Sequence, residues 1–246
     1  MRGWQRVRAA SLLVALVYVC CVGVSAGPLQ AGDEIGASYL LFSGSDLWRD
    51  GAFAYGGLLW SPQGLDRPGF TLKALISGGL YDYRAGDLGN ARVDGTEFSG
   101  QMLPGWRFKH ERFEVTVFLG PELQRNRLRP NDPGNAQRGS KLGARFAIEL
   151  WDQPTASTML AANASVSSIN TDYCARLAYG WRLFNRFYAG PETQIYGAVG
   201  YRQLRFGVHV TGLKVGTGQW SLAGGWAFVS DERSGPYLRL GFMERR

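Results

Sequence analysis

His110 and His209 are the only imidazoles in this 246-residue chain, and Cys20, Cys21 and Cys174 are its only thiols. So small an inventory excludes a zinc-finger or disulfide scaffold, and two histidines without acidic partners at suitable spacing do not make a metal site. No Walker A loop, no G-x-S-x-G elbow and no dinucleotide fingerprint occurs. No catalytic residue, metal or cofactor is therefore expected. What remains for chemistry is charge. Lys73, Arg107, Lys141, Arg145, Arg176, Arg182, Arg205 and Arg239 stand at positions alternating with apolar ones, as do Glu97, Glu114, Glu122, Glu149 and Glu192. These are eight cations and five anions, a net +3, and they are suited to pairing if one surface gathers them.

The elements that must gather them are strands. Of the 246 residues 34 are Gly, with 45% hydrophobic, 13% aromatic and 19% charged residues. An interior Gly costs a helix about 1 kcal/mol relative to Ala, so this composition disfavours helices. It has no collagen period and is too apolar for disorder. The formal charge of +7 is inflated by Arg2, Arg6 and Arg8. Without them 24 basic residues face 20 acidic ones, a net +4 too mild and too scattered for nucleic acid. The basic leader Met1–Arg8, the apolar run Ala9–Val24 and the small residues of Val24-Ser25-Ala26 read as a secretory signal peptide over residues 1–26. Residues 27–246 then form one exported domain.

That domain alternates with a period of two. Leu142, Ala144, Phe146, Ile148 and Leu150 share one parity, and Lys141, Gly143, Arg145, Ala147 and Glu149 the other. Phe113, Val115, Val117 and Leu119 likewise alternate with Glu114, Thr116, Phe118 and Gly120, and Phe70, Leu72, Ala74 and Ile76 with Thr71, Lys73, Leu75 and Ser77. Such alternation puts the two sets on opposite faces of a strand. About 12 segments follow the rule, near 34–43, 53–61, 69–81, 96–107, 111–124, 138–150, 157–168, 172–183, 186–196, 200–211, 218–229 and 235–243. Turn signals separate them, including Asp82 to Asp94, and no helical pattern intervenes, so the sheet is expected to be antiparallel.

The strands are about twice as long as those of a soluble sandwich and match the ~9–11 residues that cross a bilayer at a tilt. One parity is rich in Leu, Val, Phe and Trp, as a lipid-facing band is; the other carries Gly, Ser, Thr and the charges, as a lumen does. Trp48, Trp60, Tyr81, Trp106, Trp151, Trp181, Tyr196, Trp220, Trp226 and Tyr237 fall near strand ends, where interfacial girdles lie. An open sheet edge is untenable in lipid. The expected fold is therefore all-β: a closed antiparallel up-and-down outer-membrane β-barrel of about 12 strands. Inside it the charges would staple neighbouring strands, or else line a mildly anion-preferring passage or a polar groove for a glycan. The last strand would show Leu238, Leu240 and Phe242 to lipid, followed by the tail Met243-Glu244-Arg245-Arg246.

Several segments resemble the cellulose biosynthesis protein BcsS family of bacterial envelope proteins. They are Tyr39–Asp46 with Phe53–Gly57, Leu80–Tyr83, Tyr173–Arg176, Gly190–Glu192 and Phe228–Asp231. The most specific is Leu128-Arg129-Pro130-Asn131-Asp132-Pro133 continuing to Arg138-Gly139-Ser140-Lys141. Cys174 stands where an aromatic is expected, and the basic tail departs from a chain ending on Phe. The resemblance implies a non-enzymatic accessory role in cellulose production or export. The partners it implies are outer-membrane lipid, cellulose or another glucan, and subunits of the cellulose synthase complex, and no nucleic acid.

Glucan recognition relies on aromatic faces with polar edges, and Trp48, Tyr81 and Tyr83 lie beside expected outer loops. The segment 125–137 reads as a long basic loop whose arginines suit acidic polysaccharide or lipid phosphate. Two other functions fit the same pattern: a channel for small solutes or acidic oligosaccharides, and a lipid- or glycan-modifying barrel enzyme in which His209, on the polar parity with Gln203 and Arg205, would work with a serine.

Overall fold

The computed structural model describes residues 36–199, 201–230 and 233–246. The leader expected at 1–26 lies outside them. Twelve strands carry the chain: β1 Tyr39–Trp48, β2 Gly51–Trp60, β3 Gly69–Ala85, β4 Ala91–His110, β5 Phe113–Arg129, β6 Gly139–Thr155, β7 Thr158–Ser167, β8 Tyr173–Leu183, β9 Phe187–Ala198, β10 Tyr201–Val215, β11 Gly218–Val229 and β12 Gly235–Arg245. Each pairs antiparallel with its neighbours in sequence, and β1 pairs with β12, so the sheet closes into a barrel without an edge. Among the described residues no helix is long and apolar enough to cross a membrane.

The two parities separate as the alternation requires. Leu80, Leu119, Phe206 and Trp226 expose between 48% and 62% of their surface outward, and Leu142 78%. On β5 the outward positions from Phe113 to Leu123 are all apolar. Ten residue steps of ~3.4 Å, tilted ~40° from the axis, rise about 26 Å, the height of the apolar band of an outer-membrane barrel.

Inward aromatic rings explain part of the glycine content. Phe42 lies opposite Gly57 and Phe53 opposite Gly79 in the pairing register. A Cβ at Gly57 would stand 2.4 Å from the Phe42 ring, so only glycine lets the ring lie flat on the neighbouring strand.

Several expectations change. The first strand runs from Tyr39 to Trp48 rather than 34–43, because its register with β2 and β12 extends to the hairpin at residues 49–50. The turn expected from Asp82 to Asp94 shrinks to a hairpin around the 3-10 turn Gly86–Leu88, since β3 and β4 stay paired from Tyr81↔Gly95 to Ala85↔Ala91. Strands β3 to β6, with 17, 20, 17 and 17 residues, thus stand above the rest of the wall at one end. The expected aromatic girdle holds only in part. Trp106, Trp181 and Trp226 point outward, whereas Tyr81, Trp151, Tyr196 and Tyr237 are buried inside, because they fall on the inward parity. The terminal residues 243–245 are part of β12, with Arg245 opposite Leu40.

Candidate functional site

The barrel interior is filled by the inward parity. Arg205 exposes 0% of its surface, Phe118 1%, Arg145 2%, and Lys73 and Glu192 3% each. Long cations and aromatic rings from non-neighbouring strands meet inside, and the buried cations are paired with carboxylates, as burial of an ion demands.

Glu192 on β9 receives Arg176 of β8 at 3.0 Å and Arg239 of β12 at 2.7 Å on one carboxylate oxygen. Its other oxygen accepts the Tyr237 hydroxyl at 3.0 Å and the Gln194 amide at 2.6 Å. Arg205 on β10 donates to both oxygens of Asp46 on β1, at 2.8 and 2.9 Å, and to Gln203 at 2.8 Å. Its guanidinium lies over the rings of Tyr237, Tyr196 and Trp48, with centroids at 4.8, 4.9 and 5.6 Å. Tyr237 joins the two clusters, its ring on Arg205 and its hydroxyl on Glu192.

On the other side of the lumen Arg145 grips Glu122 at 2.7 and 3.0 Å and reaches Ser165 at 2.9 Å, while Ser167 donates to the second Glu122 oxygen at 2.6 Å. Lys73 pairs with Glu149, with β4 and β5 between them in the wall, and sits over Phe118 and Phe42. Arg107 pairs with Glu114 at 3.2 Å. Arg182 faces inward over the Tyr188 ring. Lys141 stands at the rim and bonds the Ala136 carbonyl and the Asn170 side chain, joining the β5–β6 loop to the β7–β8 turn.

Both ends of the lumen are covered. At the end where β1 begins and β12 finishes, the loop 61–68 turns inward. Leu65 is wholly buried, its N–H bonds to the Ala37 carbonyl and its own carbonyl accepts Arg107 at 2.6 Å. Asp66 of the same loop ties Lys109 of β4 and Arg245 of β12, at 3.3 and 3.2 Å. At the opposite end the loop 130–138 folds over the opening. The Tyr83 hydroxyl donates to Asp132 at 2.7 Å and accepts from Asn135 at 2.7 Å, and Tyr81 donates to Asn126 at 3.0 Å. Beneath this cap several buried polar atoms make no hydrogen bond: both oxygens of Asp172, both amide atoms of Gln137, one oxygen of Asp132 and the amide nitrogen of Asn126. Burial raises the Asp172 carboxyl to about 7, with Glu122 adding to the rise and Arg145 and Lys141 opposing it.

The residues singled out from the sequence are thus distributed as follows. All twelve lumen charges, together with Glu97, lie on the inward parity. Tyr81 and Tyr83, expected to offer ring faces to a glycan, are 5% and 3% exposed and engaged by the cap, because the strands carrying them continue past the expected turn. Trp48 is half-buried and stacks on Phe53 at 5.7 Å. Residues 125–129 are not loop but the outward and inward positions of β5. His209 is 2% exposed, with Thr211 at 2.9 Å from Nδ1 and the Tyr179 carbonyl at 3.1 Å from Nε2. It reaches β8 across Gly190, its partner in the register, where any Cβ would meet the same carbonyl at 2.1 Å. His110 ends β4 at the turn. Asp46 and Asp66 escaped the sequence reading. Asp46 lies beyond the expected end of the first strand, and the pairing of Asp66 depends on a loop turning inward, for which alternation has no signature.

Three comparisons bear on this arrangement. The family model described as cellulose biosynthesis protein BcsS matches residues 40–246. No curated protein matches the chain. Among solved structures, an outer membrane channel from Pseudomonas putida F1 is similar over 89% of this chain and 100% of its own, at 11% identity and a TM-score of 0.53, a likeness of fold. The KdgM porin matches over 83% of this chain and 98% of its own at 13% identity and a TM-score of 0.44.

Proposed function

Because the chain belongs to the cellulose biosynthesis protein BcsS family, we propose that it is a non-enzymatic accessory barrel of the outer membrane that serves cellulose biosynthesis or secretion without itself conducting the glucan. The location is supported by the edgeless barrel, by the apolar band about 26 Å tall and by the likeness to outer-membrane barrels. The observation that carries the rest is the packed interior. A glucan chain needs a continuous polar passage several ångströms wide, and here the inward side chains Arg205, Tyr237, Lys73 and Phe118 are all at most 4% exposed, with a loop folded over each end. What the protein offers a partner is its outer surface: the rim of β3 to β6, the cap 130–138 and the short hairpins. Glucan and synthase subunits are the partners this role implies.

Single-barrel recordings in planar bilayers test the reading. A packed barrel gives no discrete openings, and reproducible steps of conductance would assign the protein to the channels instead. In a producing strain, deletion of the gene lowers cellulose output. His209→Ala leaves that output unchanged, whereas a modifying enzyme built on His209 would lose it.

A further inference from the structure

The outer wall above the apolar band is chemically lopsided. On β5 the outward ladder Phe113, Val115, Val117, Leu119, Pro121, Leu123 continues without a break as Arg125, Arg127 and Arg129, all exposed. On the neighbours the same change occurs at the same level: Phe98 pairs with Arg125, and Arg127 with Thr96, while Leu123 pairs with Leu142 and Arg125 with Ser140. Nearby Arg92 spends itself on Asp82 and Asp94, at 3.0 and 3.4 Å, which are the acidic groups at this level of β3 and β4. Asp94 lies opposite Arg129 in the register but pairs with Arg92, and none of Arg125, Arg127 and Arg129 forms an ion pair among the described residues. Consecutive outward positions on a strand lie about 7 Å apart, so the three guanidinium groups form a column about 14 Å long that begins where the hydrocarbon band ends.

Most of the buried cations of this protein are held by carboxylates, and a column of three exposed arginines without an ion pair is an offer to something outside it. We propose that the outer face of β5 above the apolar band, with Arg125, Arg127 and Arg129, is a binding site for the phosphorylated headgroup of a membrane lipid. The inference rests on the outer-membrane reading above. Arg suits phosphate because its planar fork donates two parallel hydrogen bonds to a pair of oxygens. The choice of a lipid over a soluble polyanion follows from the direction of the column. It points sideways from the barrel wall, in line with the lipid-facing ladder, and not upward into the loops. A ligand bound there lays its acyl part against Leu119, Leu123, Leu142 and Ile76, which expose 60%, 45%, 78% and 60% of their surface.

The test uses the full chain folded in detergent micelles, with lipid A as the probe and retained lipid counted by native mass spectrometry. The wild type is compared with Arg125→Gln/Arg127→Gln/Arg129→Gln and with Arg186→Gln, an exposed arginine in the turn at the opposite end. The expected result is at least tenfold weaker retention by the triple variant, no change for Arg186→Gln, and wild-type retention that falls as salt rises. Lipid A stripped of its phosphates is expected to bind wild type and triple variant alike. A folded triple variant that retains lipid A as the wild type does overturns the site. So does a soluble polygalacturonate that displaces lipid A at equal charge through the same arginines. Migration on unboiled gels separates these failures from that of the premise, since a wild type without a heat-modifiable shift overturns the membrane reading itself. Should the triple variant lose that shift, Arg127→Gln alone is expected to weaken retention about threefold, and an unchanged value overturns the proposal.

Discussion

Asp46 on β1 and Arg205 on β10 are 159 positions apart in the chain and meet at 2.8 Å inside the barrel, with β11 and β12 between them in the wall. The contact bridges two intervening strands on the inside of the wall, so it holds non-neighbouring parts of the closed sheet to one another. Removing one partner strands the other charge where no water reaches it, and such losses cost about 3–5 kcal/mol. Asp46→Ala is therefore expected to lower the urea midpoint of the barrel in micelles markedly. Asp46→Asn/Arg205→Met is expected to cost less than the two single changes added together, and strict additivity would mean the pair is not coupled.

The cap over the loop end hangs on one hydroxyl. Tyr83→Phe keeps the ring in place but deletes both bonds, to Asp132 and to Asn135. A net loss of about 1–2 kcal/mol is expected, read as an approximately tenfold or greater rise in hydrogen exchange over residues 131–137. Exchange across the β1–β12 seam stays as in the wild type.

The same cap is expected to loosen as pH rises. The Asp172 carboxyl is raised from 3.8 to about 7 in the folded protein, chiefly by burial. A raised pKa means the folded state holds its proton more tightly than the open one. Its stabilising effect is complete below pH ~4 and is lost as pH climbs to 7. Exchange near residue 172, corrected for the intrinsic rate, should rise between pH 4 and 7, and Asp172→Asn should flatten that profile.

Gly190 is where β9 lets His209 through to β8. A methyl group there meets the Tyr179 carbonyl at 2.1 Å, a backbone atom that cannot swing aside. Gly190→Ala is expected to destabilise the barrel by about 1–3 kcal/mol, seen as a lower midpoint for loss of the heat-modifiable band. A neutral result would show that β8 shifts freely at this point.

How far the fold was readable follows from a property of strands. Successive side chains point to opposite faces, so the run from Lys141 to Leu150 states which residues meet lipid and which meet the lumen. A sheet in hydrocarbon has to close. The interior place of Arg145, Glu149, Arg176, Glu192 and Arg205 came from the same rule. It fails where the backbone stays extended after the membrane pattern ends: at Asp82 to Asp94, where β3 and β4 continue, and at 125–129, where β5 continues in place of a loop.

Alternation, length and composition thus determine a closed barrel and the two faces of its wall, because both depend on the chain's local period and on the solvent each face meets. Which lumen charge holds which was decided only by closure. Asp46 with Arg205, Lys73 with Glu149 and Glu192 with Arg239 are pairings between strands that are not neighbours, and they arise from curvature, tilt and the room that glycines leave for rings. The inward fold of the loops 61–68 and 130–138 belongs to the same class. A loop's path is set by the polar groups it finds at the mouth of the barrel, and those groups are assembled only when distant strands have already met.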